Sequence, residues 1–355
     1  MAIGFTSTIA DLDQKQFDSL DRAAGFASSY ARLRQKEQDP RWIGRYLVWT
    51  EGSLLRAVVP VYRSRMNSWP DAAYDPRAWG LPDGVGQECA PKAALLVGGC
   101  GDRRTGLHVD PEARTPDVLR RLLVELARLA VDDDRCLAFP YLHSDARNAL
   151  AAATDDRIVW ADMASEAHVF GLSEPDWESK LPSKVRHTLR QDRRRIATAP
   201  VAEGAPDGVP WDEVRAWAAE LISEQHAVKG DPEMPEFVNF RYSDLQENTD
   251  LEVFVFTGRS PNLRGLATVV VWEDEMEVCE VGLHGENSDE RLAVYVSVGF
   301  HQPFRYAQAR GINHIRYGST SESTKVARGA VFTRCHGGLL DLTETKRLAG
   351  EGRPG

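Results

Sequence analysis

A chain of 355 residues, 42% of them apolar and 27% charged, is long enough for two domains of about 150–180 residues and too apolar to remain disordered. Its formal net charge of −10 excludes a protein that is basic throughout, so any contact with nucleic acid has to be local. No apolar run reaches the ~18 residues of a membrane span, and the start, MAIGFTSTIADLDQKQF, lacks the basic-then-apolar order of a secretion signal. Five dispersed cysteines (Cys89, Cys100, Cys136, Cys279 and Cys335) show no metal-ligand spacing. They are expected as reduced thiols in a cytoplasmic protein.

Along the chain, apolar residues from Phe17 through Ala24 and Phe26 to Leu33 predict a helix over residues 16–37. The run RYLVWTEGSLLRAVVPVYRSR predicts two strands about a Glu51-Gly52 turn, with Pro60 at an edge or a bulge. An irregular stretch rich in Trp, Tyr and Pro follows, then AALLVGG as a short strand. In TPDVLRRLLVELARLAVDDD, Thr115 caps a helix and Pro116 suits its first position. CLAFPYL reads as a strand and DARNALAAAT as a short helix.

Residues 176–199, DWESKLPSKVRHTLRQDRRRIATA, form a basic helical block, which Pro200 and the run EGAPDGVP end. WDEVRAWAAELISEQHAV predicts a helix, followed by a flexible segment, VKGDPEMP. The strands LEVFVFTG, LRGLATVVVWED and EMEVCEVGLHG come next, then a helix that Gly311 terminates, then the strands INHIRYGS and GGLLDL. Both halves repeat one order of elements: hairpin strands, a long helix, a strand. The expected class is α/β with mixed sheets, in two similar domains over residues 1–165 and 211–355, joined by a basic helical connector over 166–210.

Three antiparallel strands, a helix and a strand, given twice, resemble two GNAT acyltransferase units in tandem. The whole resembles the Fem family, and within it the FemAB-like proteins of peptidoglycan biosynthesis and recognition. The likeness rests on GFASSYARLRQKE with YLVWTEGSLLRAVVPVYRSR, on KLPSKVRHTLRQDRRRIA, on FHQPFRYAQARGINHIRYG and on KVARG, roughly over residues 15–335. Where family members carry His before the lysine and Phe after the glycine of that last motif, this chain has Thr324 and Ala330. The resemblance implies transfer of an aminoacyl group from aminoacyl-tRNA to an amine, either a peptidoglycan precursor or a natural-product intermediate. No bound cofactor and no metal are expected. Acyl-CoA or a carrier-protein thioester is the alternative donor, and a binding protein that has lost the chemistry is the other alternative. In the second half, HGENSDERL has Gly285 alone where acyl-CoA GNAT enzymes usually carry a glycine-rich pyrophosphate turn, which favours the aminoacyl donor.

The candidate site residues follow from chemistry as well as from resemblance. In GSTSESTKVARGAVFTRC, Lys325 is a point charge suited to a phosphate or a developing oxyanion. Arg328, beside Gly329, suits a bidentate phosphate contact. Tyr317, Ser319 and Thr320 lead into this loop and would touch substrate. On the basic helix, Arg186, Arg190, Arg193 and Arg194 share a face by their three- and four-residue spacing, and with Lys184 they would hold the donor's phosphates. Glu280, placed with Val278 and Gly282 on one face of its strand, and His284 at the strand end are the proton acceptors to test. His226 precedes the flexible segment. Tyr295 and Trp79, the latter in a loop with Trp69 and Tyr74, are the aromatic substrate contacts. For each of these residues an ordinary solvated or core role stays open.

Overall fold

The computed structural model describes residues 2–20, 25–199, 201–228, 230, 232–248, 250–260, 263–285 and 289–351. Ala24, Pro200 and residues 286–288 of the sequence reading lie outside them. The chain divides into two compact units, Met1–Ser165 with Arg334–Gly355, and Glu166–Thr333.

The first unit begins with β1 (Ala2–Thr6), α1 (Gln14–Asp18), α2 (Tyr30–Glu37) and the hairpin β2 (Trp42–Glu51) and β3 (Leu54–Ser64). Then come β4 (Ala94–Val97), β5 (His108–Val109), α3 (Pro116–Val131), β6 (Cys136–His143), α4 (Ser144–Ala153) and β7 (Val159–Phe170), whose last residues enter the second unit. The helix expected over 16–37 is not continuous: Ser19 ends α1, and a 3-10 turn at Gly25–Ser28 precedes α2, which Ser29 caps through Arg32 N. Pro60 sits neither at an edge nor at a bulge. It pairs with Tyr46 and its carbonyl accepts from Gly98 N, so its missing N–H falls in the gap between the β3 pairings with β5 and with β4.

α3 buries Leu119, Leu122, Leu123 and Leu126 against Val59, Val61, Leu95 and Phe139. The opposite side of that sheet packs Trp42, Tyr62, Tyr74, Trp79 and Tyr141. Parallel pairing of β4 with β6 covers only Ala94–Leu96 against Cys136–Ala138. Past it the chain fills the widening gap itself: Thr105 N donates to Tyr141 O at 3.3 Å.

The second unit adds α5 (Trp177–Lys180), α6 (Ser183–Thr198), the two-residue strands β8 (Ala202–Glu203) and β9 (Val209–Pro210), α7 (Trp211–Val228) and α8 (Pro235–Gln246). β10 (Glu252–Ser260), β11 (Leu263–Trp272) and β12 (Glu275–His284) form an antiparallel meander. α9 (Asp289–Val296) runs through a π-helical turn at Ser297–His301 into α10 (Gln302–Arg310), capped by left-handed Gly311 at φ 70°. β13 (His314–Tyr317) and α11 (Glu322–Val326) follow; β14 (Val331–Leu340) and α12 (Leu342–Gly350) return the chain to the first unit. Sequence periodicity misses β1, β5, β7, β8, β9, α8, α11 and α12; of the segment expected to be flexible, Val228 ends α7, Pro235 begins α8, and Lys229 and Asp231 lie outside the described residues.

One face of this sheet is apolar: Val269, Val271, Met276, Val278 and Ile315 pack on Leu189, Val294, Phe300 and Phe304 of the helices. α7 and α8 cover the other face over β12. They approach closely because residue 282 is glycine: a Cβ there would stand 2.9 Å from Leu221 Cγ and 3.3 Å from the Leu221 carbonyl carbon. Gly282→Ala should therefore lift α7 off β12 and lower stability by about 1–3 kcal/mol, read as a fall in the urea midpoint at unchanged slope. An unchanged midpoint would mean that the helix does not rest on this strand.

Candidate functional site

The local geometry of the second unit follows from one irregularity. Register between β11 and β12 shifts between Thr268 and Val269, which pair with Glu280 and Val278 and leave Cys279 as the extra residue. The bulge separates residues that strict alternation would group. Val278 packs with Val281 and Leu283 on the apolar face, whereas Glu280 and Gly282 face α7 and α8. The expected grouping of Val278 with Glu280 and Gly282 is therefore corrected: an extra residue inverts the alternation beyond it.

On that second face Glu280 is enclosed by a polar network. Its Oε2 accepts from Tyr242 Oη at 2.6 Å and its Oε1 from Arg241 Nη1 at 2.6 Å. His226 Nε2 stands 3.4 Å from Glu280 Oε1, and His226 Nδ1 3.4 Å from Glu233 Oε2. Arg241 also donates to Glu233. Thr268 Oγ1 supports the strand end of the network by accepting from Glu280 N at 3.1 Å and donating to Tyr242 Oη at 2.9 Å. Burial raises the Glu233 carboxyl, but the hydrogen bond from His226 and the Arg241 guanidinium outweigh it and hold the group at about 2. The hydrogen bond to Glu233 raises the His226 imidazole above its usual value. Burial and then the Glu280 carboxylate push the Tyr242 phenol well up, so it remains a donor. His226, Glu233 and Glu280 offer three ligand atoms within 4.8 Å of one another. The Arg241 guanidinium already bridges both carboxylates, and a divalent cation would meet that fixed positive charge.

β12 and β13 run parallel over Glu275–Val278 and His314–Tyr317 only. Among the described residues no strand pairs with β12 beyond that point on the β13 side, so the edge of residues 279–284 is open next to Glu280. Tyr317, at the end of β13, is buried and stacks on Phe300 at 5.2 Å, and its phenol oxygen has no hydrogen-bond partner among the described residues. Tyr295 is half-buried nearby; burial raises both phenols, and the Arg328 guanidinium opposes it at each. Lys325 is buried and donates to Gly318 O, fixing the turn by which the chain leaves β13. Ser319 is half-buried in that turn and Thr320 exposed.

Arg328 is held away from solvent. It binds Asp192 through Nε at 2.8 Å and Nη2 at 3.1 Å, donates to Thr324 O at 2.8 Å, and lies over the Phe300 ring at 5.0 Å. Burial raises the Asp192 carboxyl, and the nearby His301 imidazole and the Arg328 guanidinium reverse this to a net lowering. Asp192, a lone acid among arginines in the sequence, is thus the residue that ties α6 to α11.

The basic face expected on α6 is divided by this packing. Arg186 donates to the Ser179 and Leu181 carbonyls, and Arg193 forms a two-point ion pair with Glu178. Val185, Leu189 and Asp192 face inward. Lys184, Arg190 and Arg194 are exposed, and no salt bridge reaches them among the described residues. His284 is exposed at the end of β12, with Nδ1 3.1 Å from Glu224 Oε2. Trp79 lies in the core of the first unit and donates to Ala73 O at 3.0 Å. The sequence reading did not single out Arg241, Tyr242 or Glu233, because an arginine and a tyrosine on a weakly amphipathic helix and an acid just before it carry no local signal. The first unit has its own buried charge cluster that the sequence reading missed: Asp102, in the loop after β4, bound by Arg32 and Lys36 of α2.

Because Glu233 falls from an ordinary 4.5 to about 2 on folding, it contributes stability above pH 4.5 that is lost as pH falls toward 2. Glu233→Gln should cost about 3 kcal/mol at pH 7, with the difference from the parent chain shrinking through that window. A pH-independent difference in chemical denaturation would contradict the ionised network.

No protein-family model and no curated protein matches the chain. Among solved structures it is similar to FemX, with 9% identity, a TM-score of 0.60, and 94% of this chain aligned to 96% of that one. A tandem GNAT protein from the clavulanic acid biosynthesis pathway is 13% identical, with a TM-score of 0.51 over 96% of this chain and 99% of that one. A conserved protein of unknown function from Bacteroides thetaiotaomicron is 11% identical, with a TM-score of 0.56 over 95% and 99%. Identities at this level speak to architecture, and they agree with the doubled arrangement of meander, helix and parallel strand described above. The chain has the Fem-like tandem GNAT fold.

Proposed function

We propose that this protein is an amide-forming acyltransferase that moves an aminoacyl group from aminoacyl-tRNA to an amine acceptor, a peptidoglycan precursor or a natural-product intermediate. The observation that carries the reading is the Glu280 carboxylate at the β12 bulge, held by Arg241 and Tyr242 beside the stretch of β12 that no described strand pairs on the β13 side. The acceptor amine attacks the ester carbonyl, Glu280 takes the amine proton, and the bond to the ribose oxygen breaks with return of a proton to that oxygen. Arg241 and Tyr242 each donate a hydrogen bond to Glu280 and orient it. Lys325 fixes the turn that carries Ser319 and Thr320, and Arg328 tethers α11 rather than clamping a phosphate. The donor's phosphates fall to Lys184, Arg190 and Arg194, an exposed cationic face in a chain of net charge −10.

Titration of the purified chain with aminoacyl-tRNA at two salt concentrations tests the donor. Binding should weaken steeply with salt, and Arg190→Ala with Arg194→Ala should reduce the log–log salt slope by about 1–2. Binding of acetyl-CoA without tRNA would transfer the donor to a thioester and reduce α6 to a solvated helix. Binding of neither would favour a protein that keeps the fold without this chemistry.

A further inference from the structure

In the first unit, three residues far apart in the chain meet where β6 turns into α4. Ser144 is the first residue of α4 and is exposed. Its Oγ lies 3.2 Å from His336 Nε2. His336, on β14, is buried, and its Nδ1 lies 3.1 Å from Oδ1 of the exposed Asp162 on β7, close enough for a charge contact though not aligned as a hydrogen bond. We propose that Ser144, His336 and Asp162 form a second acyl-handling site, a serine nucleophile with its base and orienting carboxylate, acting on activated carboxylic esters. The site is independent of the chemistry proposed for the second unit.

The surroundings fit that chemistry. A serine at a strand-to-helix turn presents its hydroxyl beside the first turn of the helix, whose backbone N–H groups have no carbonyl partner within the helix. His143, the residue before α4, makes no side-chain cap bond to that turn. These N–H groups and the positive helix end can therefore meet an oxyanion formed at Ser144. Burial, and then the Arg147 guanidinium, hold the His336 imidazole below its ordinary value, with Asp162 opposing them, so it is neutral and ready to accept a proton. Arg147, three residues along α4, and Arg334, whose Nη1 is 3.5 Å from Asp162, both act on His336, and two cations around the base favour an ester that also carries a negative charge.

The reaction balances without a co-reactant other than water. Ser144 Oγ attacks the ester carbonyl carbon as His336 Nε2 takes its proton. The bond to the leaving oxygen breaks, and His336 protonates the departing alcohol, which leaves an ester on Ser144. Water then attacks that ester, its proton passes to His336, the bond to Oγ breaks, and Oγ recovers the proton. The sum is ester plus water giving acid plus alcohol. Asp162 acts through His336 and is a positioning residue.

The full chain is treated with a fluorophosphonate probe and, separately, with mono-p-nitrophenyl succinate, an activated ester with one carboxylate. The expected results are a single label mapped to Ser144 and a burst of about one equivalent of p-nitrophenolate, with a labelling rate that rises through a midpoint below the free imidazole value of about 6.5. Ser144→Ala and His336→Gln should each lose labelling by roughly 100-fold or more, and Asp162→Asn by at least about tenfold with an altered pH profile. The melting temperature of Ser144→Ala should match the parent, because only an exposed hydroxyl is removed. An unlabelled parent chain, a label on another residue, or retained burst in Ser144→Ala would overturn the proposal. The proposed tRNA reaction is not touched by any of these outcomes.

Discussion

The register shift between β11 and β12 turns Glu280 away from the apolar face that receives Val278 and toward α7 and α8. With regular alternation the carboxylate would face Phe300 and its neighbours, where a charge has no partner and costs several kcal/mol. With the extra residue it meets Arg241, Tyr242 and His226. Gly282 matters for the same reason, since the close approach of Leu221 that it permits brings α7, and with it His226, onto the strand. The network is self-consistent in charge: Arg241 bridges two carboxylates, and His226, raised by Glu233, adds further positive character.

A second constraint is the short pairing of β12 with β13. Four residues of each strand pair before the chains part, and Lys325 holds the departing turn through Gly318 O. Arg328 and Asp192 then tie α11 to α6, and the π-helical turn supplies Phe300 beneath the arginine and His301 beside the aspartate. Such turns recur where a helix is re-aimed at functional sites. In the first unit the corresponding gap after β4 is bridged by the chain's own Thr105. The two units share an order of elements and differ in whether that gap is open.

Much of this was legible in the sequence. The hairpins, α3 with its Thr115 cap, α7 and the Gly311 stop announce themselves through local chemistry, and the doubled order of elements carried the resemblance to tandem GNAT proteins. What stayed hidden was non-local. A bulge has no local mark in EVCEVGLHG, so Glu280 was singled out with the wrong neighbours. Arg186 and Arg193 look like Arg190 and Arg194 until the Ser179 and Leu181 carbonyls and Glu178 engage them. Ser144, Asp162 and His336 lie on three elements with no spacing to connect them. β7 alternates too weakly to stand out, and the return of residues 334–355 to the first unit is a long-range pairing that no window of sequence encodes.

The central claim is that Glu280 takes the proton of an attacking amine beside the unpaired edge of β12. Single-turnover transfer of a labelled amino acid from aminoacyl-tRNA to a panel of amine acceptors, comparing the parent chain with Glu280→Gln, tests it most directly. The account predicts label in an alkali-stable amide with the parent chain and transfer slower by roughly 100-fold or more in the variant. Equal rates in the two proteins, or amide formed only from acyl-CoA, would contradict it.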